Sequence, residues 1–302
     1  MPARAPASTE RDTTQGMLLG ALGVVIFAAT LPMTRLAVGD QGAPQLPPGF
    51  VTVGRAAVAG LLSLAYLALQ RAPTPARRHW PALLVSALGT VLDFPLFLAL
   101  ALRQVEAMHA AVITGVLPLA TAAVAAAVLR QRASPGFWLC ALLGCGLVVG
   151  YAAWQGSGAP GMADLLLLLA VLSAAVGYVG GAQVALALPA PQVICWVLVL
   201  SLPAVLPLAW WLRPAQPASL AAWGGFVYVS LFSMWLGFFA WYRALALGGV
   251  MRVSQVQLLQ PFVALLLAVP LLGERLDAAT LAFALAVLAV VFVGRRMPVH
   301  AR

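Results

Sequence analysis

The sequence predicts an all-α membrane protein, with ten transmembrane helices arranged as two inverted five-helix repeats. Three observations predict it. Of 302 residues, 63% are hydrophobic and 8% charged, with a mean hydropathy of +0.99; soluble domains run at roughly 45–50% apolar and about 25% charged. Apolar runs of membrane-spanning length follow one another, separated by Arg, Pro or Gly. The chain also matches itself at a single offset.

The same numbers exclude an ordinary soluble enzyme, a disordered tail, a collagen-like repeat and a disulfide-stapled secreted domain. The net charge of +9 comes entirely from arginine, since there is no lysine. These arginines stand at the ends of apolar runs and form no continuous basic face, which argues for topology signals and against a nucleic-acid partner. Cys140, Cys145 and Cys195 are odd in number and lie inside apolar runs, as small buried hydrophobes do.

In chain order the spans are expected at 16–38, 48–70, 80–102, 107–129, 134–154, 161–184, 189–212, 219–243, 250–271 and 276–294. The first is too long, and too polar at Arg35, for a cleaved signal peptide. The connecting loops are short and leave no room for an extramembrane domain. With both termini cytoplasmic, twelve arginines fall on that side, and only Arg103, Arg213 and Arg275 fall opposite. That bias places the chain as a multi-pass protein of the cytoplasmic (inner) membrane.

The self-match has an offset of 143 residues. Trp80 falls on Trp223, Met108 on Met251, Pro118 on Pro261 and Arg132 on Arg275, with the pairs Ala101-Leu102 and Ala141-Leu142 falling on Ala244-Leu245 and Ala284-Leu285. The division is residues 1–155 (spans 1–5) and 156–302 (spans 6–10). An odd number of spans per copy inserts the second copy upside down relative to the first. Two such halves have two nearly equivalent packings, one open to each side, which is the basis of alternating access.

Several residues are candidates for contact with a solute. Asp93 lies near the middle of span 3, where a charge costs roughly 2.5–3.5 kcal/mol on insertion scales. It is either a proton site or amine counter-ion, or part of a structural pair. Thr114 and Gln257 flank the repeat-related prolines of spans 4 and 9, and Thr30 accompanies Pro32 in span 1. Paired interruptions in two halves point to a midplane site; bonding within the helices is the alternative. Phe94, Phe97, Tyr178, Trp235, Phe238 and Tyr242 could line a path for apolar or aromatic side chains, or could face lipid or pack in the core. Arg35 and Arg55 could form a carboxylate-binding pair at the outer mouth or could snorkel to the interface, with Asp40 as partner for Arg35. Glu274, Arg275 and Asp277 suit a turn, with Gly273 as C-cap and Asp277 as N-cap. Trp80, Trp154, Trp210, Trp211 and Trp223 read as interfacial belt residues. The GxxxG pairs Gly146/Gly150 and Gly177/Gly181 indicate close helix contact and leave a homodimer open.

The sequence resembles the EamA-type branch of the drug/metabolite transporter superfamily along nearly its whole length. Trp241-Tyr242-Arg243-Ala244-Leu245 leads into span 9, whose Gln260-Pro261 is followed by Leu272-Gly273-Glu274-Arg275-Leu276 and a last helix. Phe27 to Arg35 is similar to the family's opening motif, with Thr30 for Asn and Arg35 for Lys, and Arg55 matches a basic position early in span 2. The first-half counterpart of Leu-Gly-Glu-Arg departs from it as Leu129-Arg130-Gln131-Arg132. The resemblance implies a ten-helix exporter of amino acids, metabolites or drugs, leaning towards the aromatic-type amino-acid exporters. Together with the polar and proline positions, it implies that spans 1, 3, 4, 6, 8 and 9 enclose a central cavity. The expected partners are a small solute, amino acids first, and the lipid bilayer, with neither cofactor nor metal. Export of drugs, nucleosides or sugars by the same fold is the nearest alternative. His79, His109 and His300 are scattered, and no nucleophile or P-loop motif exists, so an enzyme or ATP-driven pump is not expected.

Overall fold

The computed structural model describes residues 10–128, 132–155, 160–185, 187–248, 256, 259–294, 296–297 and 299–300. The regular structure within them is helical, apart from a two-residue antiparallel pairing of Arg132–Ala133 with Val299–His300 and an isolated antiparallel bridge between Gly39 and Pro44. Eight segments are long and apolar enough to cross a membrane. They run from Thr14–Val38 to Leu220–Trp241, and two shorter apolar helices follow, Gln260–Leu272 and Ala278–Gly294.

Several spans are built of more than one element. The first is α1 (Glu10–Ala28) followed by α2 (Thr30–Val38), and the second is α3 (Pro48–Leu69), with proline at its first position. The third runs α4 (Trp80–Ser86), a wide π turn (Ala87–Asp93) and α5 (Phe94–Ala101). The fourth breaks after α6 (Ala107–Thr114) and resumes as α7 (Leu117–Val128). Then come α8 (Pro135–Gln155), α9 (Met162–Ala185) and α10 (Ala190–Trp211). The eighth span is α11 (Leu220–Tyr228), a second π turn (Val229–Leu236) and α12 (Gly237–Gly248). The last two helices are α13 (Gln260–Leu272) and α14 (Ala278–Gly294). Of the expected ninth span, residues 250–255 and 257–258 lie outside the described residues.

The breaks have identifiable causes. Pro118 removes the donor that would bond the Thr114 carbonyl, so span 4 is interrupted at Gly115 and Val116. Pro32 likewise frees the Ala28 carbonyl at the α1–α2 junction. In the first π turn the Phe94 N–H bonds back to Gly89; in the second the Gly237 N–H bonds back to Phe232. These two bonds are 143 residues apart, the offset of the self-match, as are the starts of α7 and α13.

Packing joins elements from the two ends of the chain. α1 lies along α12, α3 along α10, and α4 and α5 along α9; α8 pairs with α14, and α9 and α1 also meet α7 and α13 respectively. The α9 contact is very close: a Cβ on Gly89 would come within 2.8 Å of the Gly177 backbone, and one on Gly181 within 3.1 Å of Ser86 Oγ. The Gly177/Gly181 pair is therefore used inside the chain. Gly146 and Gly150, by contrast, have nothing closer than 4.0 Å. The outward faces are apolar, with Leu142, Trp210 and Trp211 strongly exposed.

Candidate functional site: a central cavity

A cavity of about 630 Å³ occupies the middle of the bundle, within the range of small-ligand sites. Its wall is assembled at the irregular places of the helices. The α1–α2 junction contributes Phe27 and Thr30, the first π turn Thr90 with Phe94 just beyond it, and the α6–α7 break Thr114 and Pro118. The second π turn contributes Ser233, and α13 contributes Gln260 and Pro261. A helix that departs from regular bonding presents side chains and freed carbonyls that a straight helix cannot. α9 supplies Tyr178, and α12 supplies Phe238 and Trp241. The wall also takes Arg55 from α3, Val193 from α10 and Leu288 from α14, beyond the six spans expected.

Of the sequence-predicted residues, Thr30, Phe94, Thr114, Tyr178 and Phe238 converge on this cavity. Thr114 also donates to the Ala110 carbonyl of its own helix at 2.7 Å. Phe238 meets Phe27 edge to face, with centroids 5.2 Å apart. Asp93, at the end of the first π turn and half-buried, is not part of the wall, nor are Phe97 and Trp235. Trp235 instead packs on Phe239, which in turn meets Tyr66. The Tyr242 side chain and Gln257 lie outside the described residues.

The hydroxyls form a short chain. Ser233 Oγ and Thr30 Oγ1 are 2.8 Å apart, and Arg55 Nη2 donates to Ser233 at 3.0 Å. Neither snorkelling nor pairing with Arg35 describes Arg55, which is 3% exposed and deep in the bundle. Arg35 instead donates to the Leu102 carbonyl and stands 3.8 Å from Asp40.

Wall residues reach Ala185 at the end of α9 and Val193 near the start of α10, on the side where α1 begins. The opposite side is closed by packing and hydrogen bonds. Val38, Leu46 and Leu102 are fully buried there, and Arg103 Nε donates to the Val38 carbonyl at 3.3 Å. The Ser219 N–H donates to Gln45 Oε1 at 2.9 Å. Glu274 accepts the Ala107 and Met108 N–H groups at 2.7 and 2.8 Å, capping α6 from another part of the chain. Gly273, left-handed at φ +70°, ends α13, and Asp277 accepts the Thr280 N–H at 2.7 Å to cap α14.

A second hollow, about 430 Å³, lies on this closed side. It holds a buried pair that the spacing did not reveal, His109 Nε2 to Asp164 Oδ1 at 2.6 Å. Asp164 also accepts the Gly161 N–H at 2.7 Å, and Tyr151 OH lies 3.1 Å from Thr280 Oγ1. Among the described residues, no three His, Cys, Asp or Glu side chains are placed to share a metal ion.

The profile of the EamA-like transporter family matches residues 14–151 and again 161–295. An uncharacterized transporter of Bacillus subtilis (strain 168), YdeK, is 44% identical over 286 residues, covering 94% of this chain and 98% of the relative. A crystal structure with 19% sequence identity superposes with a TM-score of 0.61, covering 93% of this chain and 98% of that one; it supports the fold alone. The chain is a multi-pass membrane protein that belongs to the EamA-like transporter family.

Proposed function

We propose that this protein is a secondary transporter that exports small metabolites, with amino acids as the substrate class, across the cytoplasmic membrane by alternating access. Ten crossings divide into two inverted halves, residues 1–155 and 156–302. The observation that carries this reading is the cavity itself, walled from both halves at helix irregularities that recur at one offset. The helix pairings support it. α1 on α12 and α9 on α4 and α5 exchange under the offset, whereas α3 with α10 and α8 with α14 each map onto themselves. A twofold axis in the membrane plane has this consequence.

With the termini cytoplasmic, as the arginine distribution indicates, the cavity faces the cytoplasm and its outer side is shut. That is the state in which an exporter loads. Thr30, Phe94, Thr114, Tyr178 and Phe238 contact the solute in this reading, with the rings receiving an apolar side chain. Asp93 does not contact it in this state.

The test is counterflow in proteoliposomes with a panel of labelled amino acids at several pH values. Accumulation against unlabelled amino acid, lost in Phe238→Ala or Tyr178→Ala by about tenfold, is the expected result. Asp93→Asn is expected to leave counterflow intact. Absence of counterflow for every amino acid would overturn the substrate class.

A further inference from the structure

Arg55 is nine-tenths buried and more, yet it forms part of the cavity wall. Its Nη2 is spent on Ser233, and its Nε has no hydrogen-bond partner. A guanidinium keeps its charge in proteins, and a buried charge is costly unless paired. No carboxylate of the described residues lies within 4.0 Å of it; the ion pairs found among them are Arg35–Asp40 and His109–Asp164. Among the described residues of the wall, Arg55 is also the only one with a charge. A cation is therefore held in an apolar, aromatic chamber with two hydroxyls beside it and no anion among the described residues.

We propose that Arg55 is the anchor for the carboxylate of the solute, so that the protein selects small monocarboxylates with an apolar side chain and does not require an amino group. This deepens the transport reading above and rests on it for the solute being carried. Arginine matches a carboxylate with two parallel N–H···O bonds, and of the Ser233–Thr30 pair one O–H is used in their mutual bond while the other is left to donate to the same carboxylate. One guanidinium with two hydroxyls suits a monoanion; a phosphate dianion would leave charge unmet. An ammonium finds no acid in the described wall, only ring faces such as those of Phe238 and Trp241. An amine without a carboxylate would bring a second cation beside Arg55.

The test is binding of four probes to the purified full chain, read by calorimetry and by thermal unfolding: phenylalanine, 3-phenylpropanoate, phenethylamine and inorganic phosphate. Phenylalanine and 3-phenylpropanoate are expected to bind with affinities within about tenfold of each other. Phenethylamine and phosphate are expected not to bind. Arg55→Gln should weaken both acids by about 10- to 100-fold, and Arg55→Lys should restore part of the loss. The comparison of acid with amine on the unmodified chain holds even if Arg55→Gln fails to fold. Phenethylamine binding as tightly as the acids, unchanged acid binding by Arg55→Gln, tighter binding of phosphate, or no binding of either acid at millimolar concentration would each overturn the anchor. Binding of the acids without their counterflow would contradict the transport reading and leave the anchor standing.

Discussion

Glu274 lies in a short turn and could pass for a solvated charge, yet its two oxygens close the N-terminus of α6. Burial pushes its carboxyl above the usual carboxylate range; the Ala107 and Met108 N–H groups pull the other way with less effect, and Glu106 adds to the rise. A proton is therefore held more tightly in the folded chain than in the unfolded one. The stability this group contributes through its titration is present below its unfolded value and lost as pH rises through the folded one. The melting temperature of the unmodified protein relative to Glu274→Gln should fall as pH rises across that window; a difference independent of pH would contradict it. The buried His109–Asp164 pair yields a second expectation. Asp164→Asn or His109→Gln should each cost about 1–3 kcal/mol in unfolding measurements, because a buried partner is left short. The double variant should cost less than the two together. What was legible at this scale was local: Gly273 and Asp277 act on neighbouring residues, so spacing found their caps. His109 and Asp164 meet across 55 positions of chain, and no periodicity carries that contact. Arg55 was visible as a charge in a span, but whether it snorkels or stays inside depends on which face its helix buries.

At the scale of elements, the eight long spans followed from hydropathy because lipid demands long apolar helices that satisfy their own backbone. Their interruptions were half legible. Pro32, Pro95 and Pro118 mark places where a donor is missing, and breaks or π turns stand beside each. The second π turn has no proline; Gly237 follows it, and a Cβ there would come within 2.8 Å of the Phe232 carbonyl oxygen. Only the 143-residue offset connects it to the first. The Gly89–Gly177 contact implies that Gly89→Ala cannot be accommodated without separating α9 from the first π turn. We expect it to destabilise the fold by about 1–3 kcal/mol and to abolish counterflow. Wild-type stability in that variant would show that the two backbones do not meet. Pro118→Ala restores a donor to the helix and should leave stability within about 1 kcal/mol while lowering counterflow, since it removes an irregularity from the cavity wall. Unchanged transport would mean that the break at Gly115 and Val116 plays no part in the path.

For the whole molecule, composition was enough to place the chain in a membrane, and the arginine distribution supplies the proposed orientation. Neither says which helix lies against which. The pairing of α1 with α12 and of α3 with α10 is a property of tertiary packing, and it turns a duplicated sequence into a chamber shared by both copies. That chamber reaches one side of the bundle, and the other side is held shut where the Ser219 N–H meets Gln45. Alternating access requires this closed side to open once in every cycle. The most direct measurement replaces Gln45 and Ser219 by cysteine in a background lacking Cys140, Cys145 and Cys195, bridges them with a short reducible crosslinker, and follows amino-acid counterflow. Loss of counterflow on crosslinking, with full recovery on reduction, is the expected result; counterflow that continues unchanged while the bridge is intact would contradict a gate on this side and the two-sided cavity with it.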